Sequence, residues 1–450
     1  MEKINDITLI ANIRFAGEDM PDGWIAFSGD TIVAVGHGDD PRPDAARVVD
    51  GGGALALPGV IDAHVHFREP GLTQKADIAS ESRAAVCGGV TSYLDMPNTK
   101  PQTVTLEAWQ QKMELAASKS LANYGFFIGA TNNNLDVLLT ADYTRIPGVK
   151  LFMGSSTGGM LVEKDDALRP LFRDVKAIIA VHAEDQHIIS ELTEQAKSAA
   201  AGSPVPVEMH SRIRSAEACY QSSLKAVSLA REYGSRLHLC HVTTARELSL
   251  LQPGLSPEGK RITAEVSPHH LLWTSDDYGR KGTRIKMNPS VKTAADRDAL
   301  RRAVCDGTID IVATDHAPHC LEDKAGDALT AASGAPMVQF SLAAMLDIFD
   351  EPTVQRVMCA NPALIYGIER RGFLRPGYFA DITLVSETEP YRVADSMVES
   401  RCGWTPMQGE ELRHRVSRTY VGGVLAYDAA DPVKYPSAPG GHPLYFRPTL

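Results

Sequence analysis

Short runs of apolar and β-branched residues recur along the middle of the chain, too far apart for hairpins, with helix-like stretches between them. Eight can be read: Gly59 to His66, Val90 to Met96, Asn123 to Ala130, Gly148 to Met153, Ala177 to His182, Arg236 to His241, Ile262 to Val266 and Ile309 to Thr314. Two intervening segments, "TLEAWQQKMELAASKS" and "AEACYQSSLKAVSLAREYG", carry helical spacing, and Gly234 is placed to cap the second. Strands alternating with helices over roughly 300 residues predict an α/β fold of the (β/α)8 TIM-barrel type rather than an open doubly wound sheet. No glycine-rich dinucleotide fingerprint follows the first strand.

The two ends read differently. "DITLIANIRF" and "GWIAFSGDTIVAVG" near the start, and "FADITLVS" and "TYVGGVLAYD" near the end, are β-rich, and Gly422-Gly423 is a hairpin signal. Both ends are expected to build one small β-sandwich module around the barrel. The boundaries are then 1–56 and 366–450 for the module and 57–365 for the barrel. The stretch "YPSAPGGHPLYFRP" is expected to be irregular and to lie on the surface.

Composition narrows the function. A hydrophobic fraction of 44% with 22% charged residues is that of an ordinary globular enzyme, and a net charge of −11 argues against a nucleic-acid surface. Seven cysteines without a C-x-x-C pair read as reduced thiols of a cytoplasmic protein. The N-terminus lacks a secretion signal, and no apolar run is long enough to span a bilayer. The expected partner is a small molecule, not nucleic acid or membrane.

The strand ends carry the chemistry. "HVH" puts His64 and His66 on one strand face, with Arg68 two residues on. Later strands end near Lys150, His182 and His241, and the last brings Asp315, with His316 and His319 behind it. A barrel gathers these ends at one mouth. Any one of these histidines alone is more often structural than a ligand; their convergence reverses that. Four imidazoles and a carboxylate exceed the needs of one tetrahedral zinc, so two metals are the better count. Lys150 is the oddity, because an ammonium there would repel cations. Elsewhere, His187 and His210 are expected to be solvated, His238 to pack on the opposite strand face, and His269 and His270 to play supporting or structural parts. Cys240 is expected to turn away from His241 into the core. "GSSTGG" from Gly154 lacks the ending of a phosphate loop and reads as a flexible mouth loop.

"PGVIDAHVHFREPG", "MPNT", "VKLFMGSSTG", "VHAED", "CHVT", "SPHHL", "KMNPSV", "ATDHAPH" and "GYFADITLV" occur in order over most of the chain. Together they resemble the dihydroorotases of the amidohydrolase superfamily. The resemblance implies reversible cyclisation of N-carbamoyl-L-aspartate to L-dihydroorotate, a step of pyrimidine biosynthesis, in a cytoplasmic homodimer. It implies two Zn2+ per subunit, the first held by His64, His66 and Asp315, the second by His182 and His241. Carbamylated Lys150 would bridge them, its two anionic oxygens offsetting the repulsion between cations. Many bacterial relatives with "HFREPG" have an aspartate as the bridge, so the lysine points to the carbamyl-lysine branch. A hydroxide between the metals would be the nucleophile, with Asp315 as general base and then acid.

The same resemblance assigns substrate contacts to His66, Arg68, Asn98, Asn288, His319, Ser333 and Gly334. Arg68 suits a carboxylate that hydantoin, dihydrouracil and allantoin lack. The segment "SGAPMVQFSLAAML" departs from the family, with Gln339 and Phe340 where acidic and threonine residues are common. The alternatives are another cyclic amidase, of the dihydropyrimidinase, hydantoinase or allantoinase kind, or a non-catalytic scaffold of the same fold.

Overall fold

The computed structural model describes residues 6–154, 160–162 and 164–447. The chain opens with β1 (Ile7–Phe15), β2 (Gly23–Ser28), β3 (Thr31–His37) and β4 (Arg47–Pro58). The next strands are β5 (Val60–Val65), β6 (Val90–Asp95), β7 (Asn123–Phe126), β8 (Ile128–Gly129) and β9 (Val149–Phe152). After them come β10 (Ile179–His182), β11 (Leu237–Leu239), β12 (Ile262–Val266) and β13 (Ile311–Val312). β14 (Ile382–Arg392), β15 (Glu411–Val421) and β16 (Val424–Asp428) complete the set.

β5 to β13 pair in parallel in two arcs, β5-β6-β7 and β8-β9-β10-β11-β12-β13. β7 and β8 are one run broken at Phe127, whose N–H donates to the Asp95 carbonyl at 3.1 Å. The other seam closes through a parallel bridge between Val65 and His316 and the His66 N–H donating to the His316 carbonyl at 2.8 Å. Closure gives eight staves and bears out the expected (β/α)8 barrel. Every barrel strand is buried or nearly so, as parallel strands covered by helices must be.

The helices obey their local signals. Ala216–Tyr233 starts on the Ser215 hydroxyl, which accepts from the Ala218 N–H, and stops at Gly234, whose φ of +68° only glycine adopts cheaply. Leu106–Ala117 is capped by Thr105 in the same way.

The two ends form one seven-stranded sheet, ordered β16-β15-β14-β4-β1-β2-β3, in which only β1 and β4 run parallel. Gly422 and Gly423, both at positive φ, make the β15–β16 turn. Apolar clusters form around Ile10, Ile13, Ile25 and Ile382 and around Leu9, Trp24 and Ala26. The residues alternate along β1 and β2, as in a sheet packed on both sides.

The C-terminal segment departs from expectation. It is irregular, but Leu444 and Phe446 are buried with Ile61, Phe127, Ile178 and Tyr366 in the barrel's inner cluster. The barrel needs an apolar plug, and two large side chains flanking Tyr445 supply part of it. Among the described residues no helix is long and apolar enough to cross a membrane.

Candidate active site

One cavity of about 500 Å³, mouth included, is lined by His64, His66, Arg68, Asn98, Lys150, His182, His241, Asn288, Asp315, Ser333 and Gly334. Phe152 and Ala317 also line it, and His319 stands behind Arg68. The strand ends and the loops that follow them thus bring the residues read as metal ligands and substrate contacts to one place, with His319 just behind.

Two groups of ligand atoms lie at its floor. His64 Nε2 and His66 Nε2 are 3.4 and 3.0 Å from one Asp315 oxygen. His182 Nδ1 and His241 Nε2 face each other at 2.9 Å. The four rings form a row, with centroid separations of 5.3 Å (His66–His64), 5.4 Å (His64–His241) and 4.7 Å (His241–His182). Lys150 is fully buried, and its amine meets the Cys240 sulfur at 3.0 Å and the Phe152 ring at 5.2 Å. Among the described residues no carboxylate forms an ion pair with it, which removes the ordinary reason for a buried lysine.

Partners behind the ligands aim them. Glu265 is fully buried; one oxygen is bonded to His64 Nδ1, which turns His64 Nε2 toward Asp315, and the other lies 3.1 Å from His238 Nε2. Asn98 Oδ1 accepts from His66 Nδ1 at 2.8 Å, leaving Nε2 for the Asp315 side. Asp62 joins the first and last staves, accepting from the Thr314 hydroxyl at 2.5 Å and the Thr314 N–H at 3.0 Å. Carboxylate or amide partners of this kind fix the tautomer and direction of metal-binding imidazoles. Backbone strain is concentrated here too. Arg68, His241 and Asp315 have φ of +67°, +37° and +46°, each costing about 1–3 kcal/mol for a non-glycine residue.

Charge follows from burial and neighbours. Burial holds His182 and His241 below the usual histidine range and brings His66 to about 4, so all three are neutral imidazoles with a lone pair to give. Burial and Lys150 push His64 down, but Glu265 and Asp315 outweigh them and carry it to about 10; a cation bound there must displace its proton. Burial would raise Asp315, yet His64, His66 and His241 hold it well below the carboxylate range.

The pocket's other wall is cationic. Arg68 is buried, its Nε donates to the Pro318 carbonyl at 2.9 Å, and its Nη2 lies 3.1 Å from His319 Nε2. Gly334, at φ +134°, has no room for a side chain: a Cβ would come 2.7 Å from the Ala317 carbonyl. Lys324 holds this wall together by donating to the carbonyls of Lys286, Ala332 and Gly334 at 2.7–2.9 Å.

Two expectations need correcting. His210 is buried, its Nε2 donating to the Met287 carbonyl at 2.8 Å, because the helix-bearing segment around it folds under the Met287–Asn288 loop. Cys240 turns into the barrel's inner apolar cluster as expected, and its sulfur meets the Lys150 amine there. His238 packs away from the mouth as expected, yet it bonds Thr263 and Glu265 instead of packing as an apolar ring. His187 is exposed. His269 and His270 are buried, and neither nitrogen of His269 has a partner among the described residues. Of the mouth loop only Gly154 is described; 155–159 lie outside the described residues. Gln339 hooks the Met397 carbonyl and the Glu399 N–H, away from the cavity. Glu265, Glu184 and Asp62 were not singled out from the sequence. The E in "TAEV" and the E in "HAED" follow or precede predicted ligands and were the available signal.

A barrel with this ligand row and these strained strand ends defines a class. Residues 55–425 match the amidohydrolase family, and the chain belongs to it. Within that class it is similar to the dihydroorotase of Methanosarcina mazei, 35% identical over 379 residues, covering 80% of this chain and 81% of the relative. It is equally similar, at 35% over 402 residues, to the dihydroorotase of Halobacterium salinarum, with 84% and 91% covered. Among solved structures, the L-hydantoinase (dihydropyrimidinase) of Arthrobacter aurescens superposes with a TM-score of 0.89 at 26% identity, covering 98% of this chain and 99% of that one.

Proposed function

We propose that the protein is a dihydroorotase, interconverting N-carbamoyl-L-aspartate and L-dihydroorotate for pyrimidine biosynthesis. The observation that carries the reading is the buried Arg68 guanidinium in the same cavity as the ligand row. A buried, hydrogen-bonded cation beside a hydrolytic centre calls for a substrate with a carboxylate, and the curated relatives bear the same name.

The residues present fit two divalent cations. His64, His66 and Asp315 would hold one, and the converging nitrogens of His182 and His241 the other. Lys150, with no carboxylate partner among the described residues, would be the residue to carry a carbamate and hold both cations. When bound, a zinc pair supplies a water ionised near pH 7, about 7 in the best-known case, and polarises the amide carbonyl.

The chain's own residues do the rest. Arg68, with His319, Asn98, Asn288 and the Ser333–Gly334 backbone, takes the substrate carboxylate and ring amide and sets the reacting carbonyl over the floor. In ring opening Asp315 accepts a proton from the attacking water at the oxygen facing His66, then returns it to the departing amide nitrogen. Ring closure is the reverse. His66, its Nδ1–H held by Asn98, keeps its Nε2 lone pair directed at the floor.

A hydantoinase-type activity is the second reading, favoured by the Arthrobacter structure. Zinc content per chain, measured beside turnover of L-dihydroorotate, dihydrouracil and allantoin, decides between them. Two zincs with turnover of L-dihydroorotate alone is the expected result; turnover of dihydrouracil or allantoin with no action on L-dihydroorotate overturns it. The same reading makes the enzyme a cytoplasmic homodimer, in line with seven unpaired cysteines.

A further inference from the structure

Between β14 and β15, residues 393–410 leave the seven-stranded sheet and lie against the loops of the cavity wall. Trp404 in this excursion is fully buried and does not line the cavity. Its Nε1 donates to the His319 carbonyl at 2.8 Å, one residue beyond the Pro318 carbonyl that accepts from Arg68 Nε at 2.9 Å. Lys324 Nζ, which also donates to the Gly334 carbonyl, and the Arg284 guanidinium each lie 5.6 Å from the centre of the indole ring.

The excursion is itself tied to the barrel. Arg284 donates to both Asp395 oxygens, at 2.9 and 2.7 Å, and to the Thr405 carbonyl at 3.0 Å. Lys281 donates to the carbonyls of Pro406 and Gln408 at 2.7 and 3.0 Å. The indole N–H is therefore fixed from the residues on its C-terminal side and cannot drift with a loose loop.

A buried tryptophan needs an acceptor for its N–H, and any core carbonyl would serve. Here the acceptor sits in the short segment that aims Arg68. Among the described residues no carboxylate forms an ion pair with that guanidinium; it is directed by the Pro318 carbonyl and the His319 ring. Both belong to one dipeptide, so a shift of Pro318–His319 carries the guanidinium with it. A two-pronged contact with a carboxylate tolerates little displacement.

We propose that Trp404 is a specificity-determining positioning residue: by holding the His319 carbonyl it fixes the Pro318–His319 seat of Arg68, and the terminal sheet thereby takes part in recognising the substrate carboxylate. The inference rests on the dihydroorotase reading.

A double-mutant cycle on the holoenzyme tests it. Trp404→Phe keeps an aromatic ring and deletes the N–H. It should raise the KM for L-dihydroorotate about 3- to 10-fold, the scale of one hydrogen bond, with kcat and metal content little changed. In an Arg68→Ala background the same substitution should alter kcat/KM by less than about twofold, because the seat then holds nothing. Replacing the Trp404 side chain by its 3-benzothienyl isostere, with sulfur in place of the N–H, repeats the measurement without loss of packing and decides the case if Trp404→Phe does not fold. An unchanged KM in the isostere, metal loss in step with the loss of activity, or a full effect of Trp404→Phe persisting in Arg68→Ala overturns the proposal. Wild-type enzyme that ignores L-dihydroorotate overturns the functional reading and this proposal with it, a result read before any variant is made.

Discussion

The floor and the wall of the cavity are built on opposite principles. Floor residues stand at strand ends and are aimed by buried acids and an amide: Glu265 behind His64, Asn98 behind His66, Glu184 beside His182. Wall residues stand on loops and are held by cations that donate to main-chain carbonyls, as Lys324 does around Gly334 and Arg68 does at Pro318. An acid behind a ligand strengthens its lone pair toward a cation. A surplus of donors leaves N–H groups free for an anion. The contrast teaches that metal binding and substrate choice are separable here, although the two regions share Asn98 and the short link from His66 to Arg68.

The largest effect is expected at Asp315, where the proton moves. Asp315→Asn should lower kcat for L-dihydroorotate by about 10²–10⁴-fold, measured in steady state with metal content followed alongside. Arg68→Ala should remove about 2–5 kcal/mol of kcat/KM while the zinc content holds, as expected when one partner of a desolvated charge pair is lost. Equal loss of zinc in that variant would erase the distinction between floor and wall. Glu265→Gln should do the converse, weakening zinc about 10- to 100-fold in a chelator titration with less effect on substrate KM.

The last effect falls on stability and not on the reaction, and concerns the support of the wall. Burial first, then Arg214, brings His210 down to about 3. A histidine whose folded value lies below its unfolded one leaves stability intact at higher pH and removes it as pH falls from about 6.5 toward 3. Over that window the wild type should lose about 1.4 kcal/mol per pH unit more than His210→Gln, whose amide can still donate to Met287, read from denaturant midpoints.

Much of the floor was legible because strand ends carry their chemistry in short words. "HVH", "VHAED", "CHV" and "ATDH" each place a donor at the C-terminal end of an apolar run, and the barrel brings such ends together. The helix at Ala216–Tyr233 and the turn at Gly422-Gly423 were equally plain, since capping and positive φ are local demands. The misreadings lie where the ladder stops. His210 and Phe446 were judged without knowing what would fold over them.

Sequence alone therefore settled the repeating barrel, the identity of the converging imidazoles and the presence of an arginine beside them. These depend on spacing within a few residues, and periodicity reports that directly. Only the folded molecule decided that Glu265 stands behind His64, that Cys240 meets Lys150, and that Lys75 meets one nitrogen of His319. Such pairings join residues 90 to 244 positions apart, and their geometry comes from how strands close and loops pack, which no local pattern encodes.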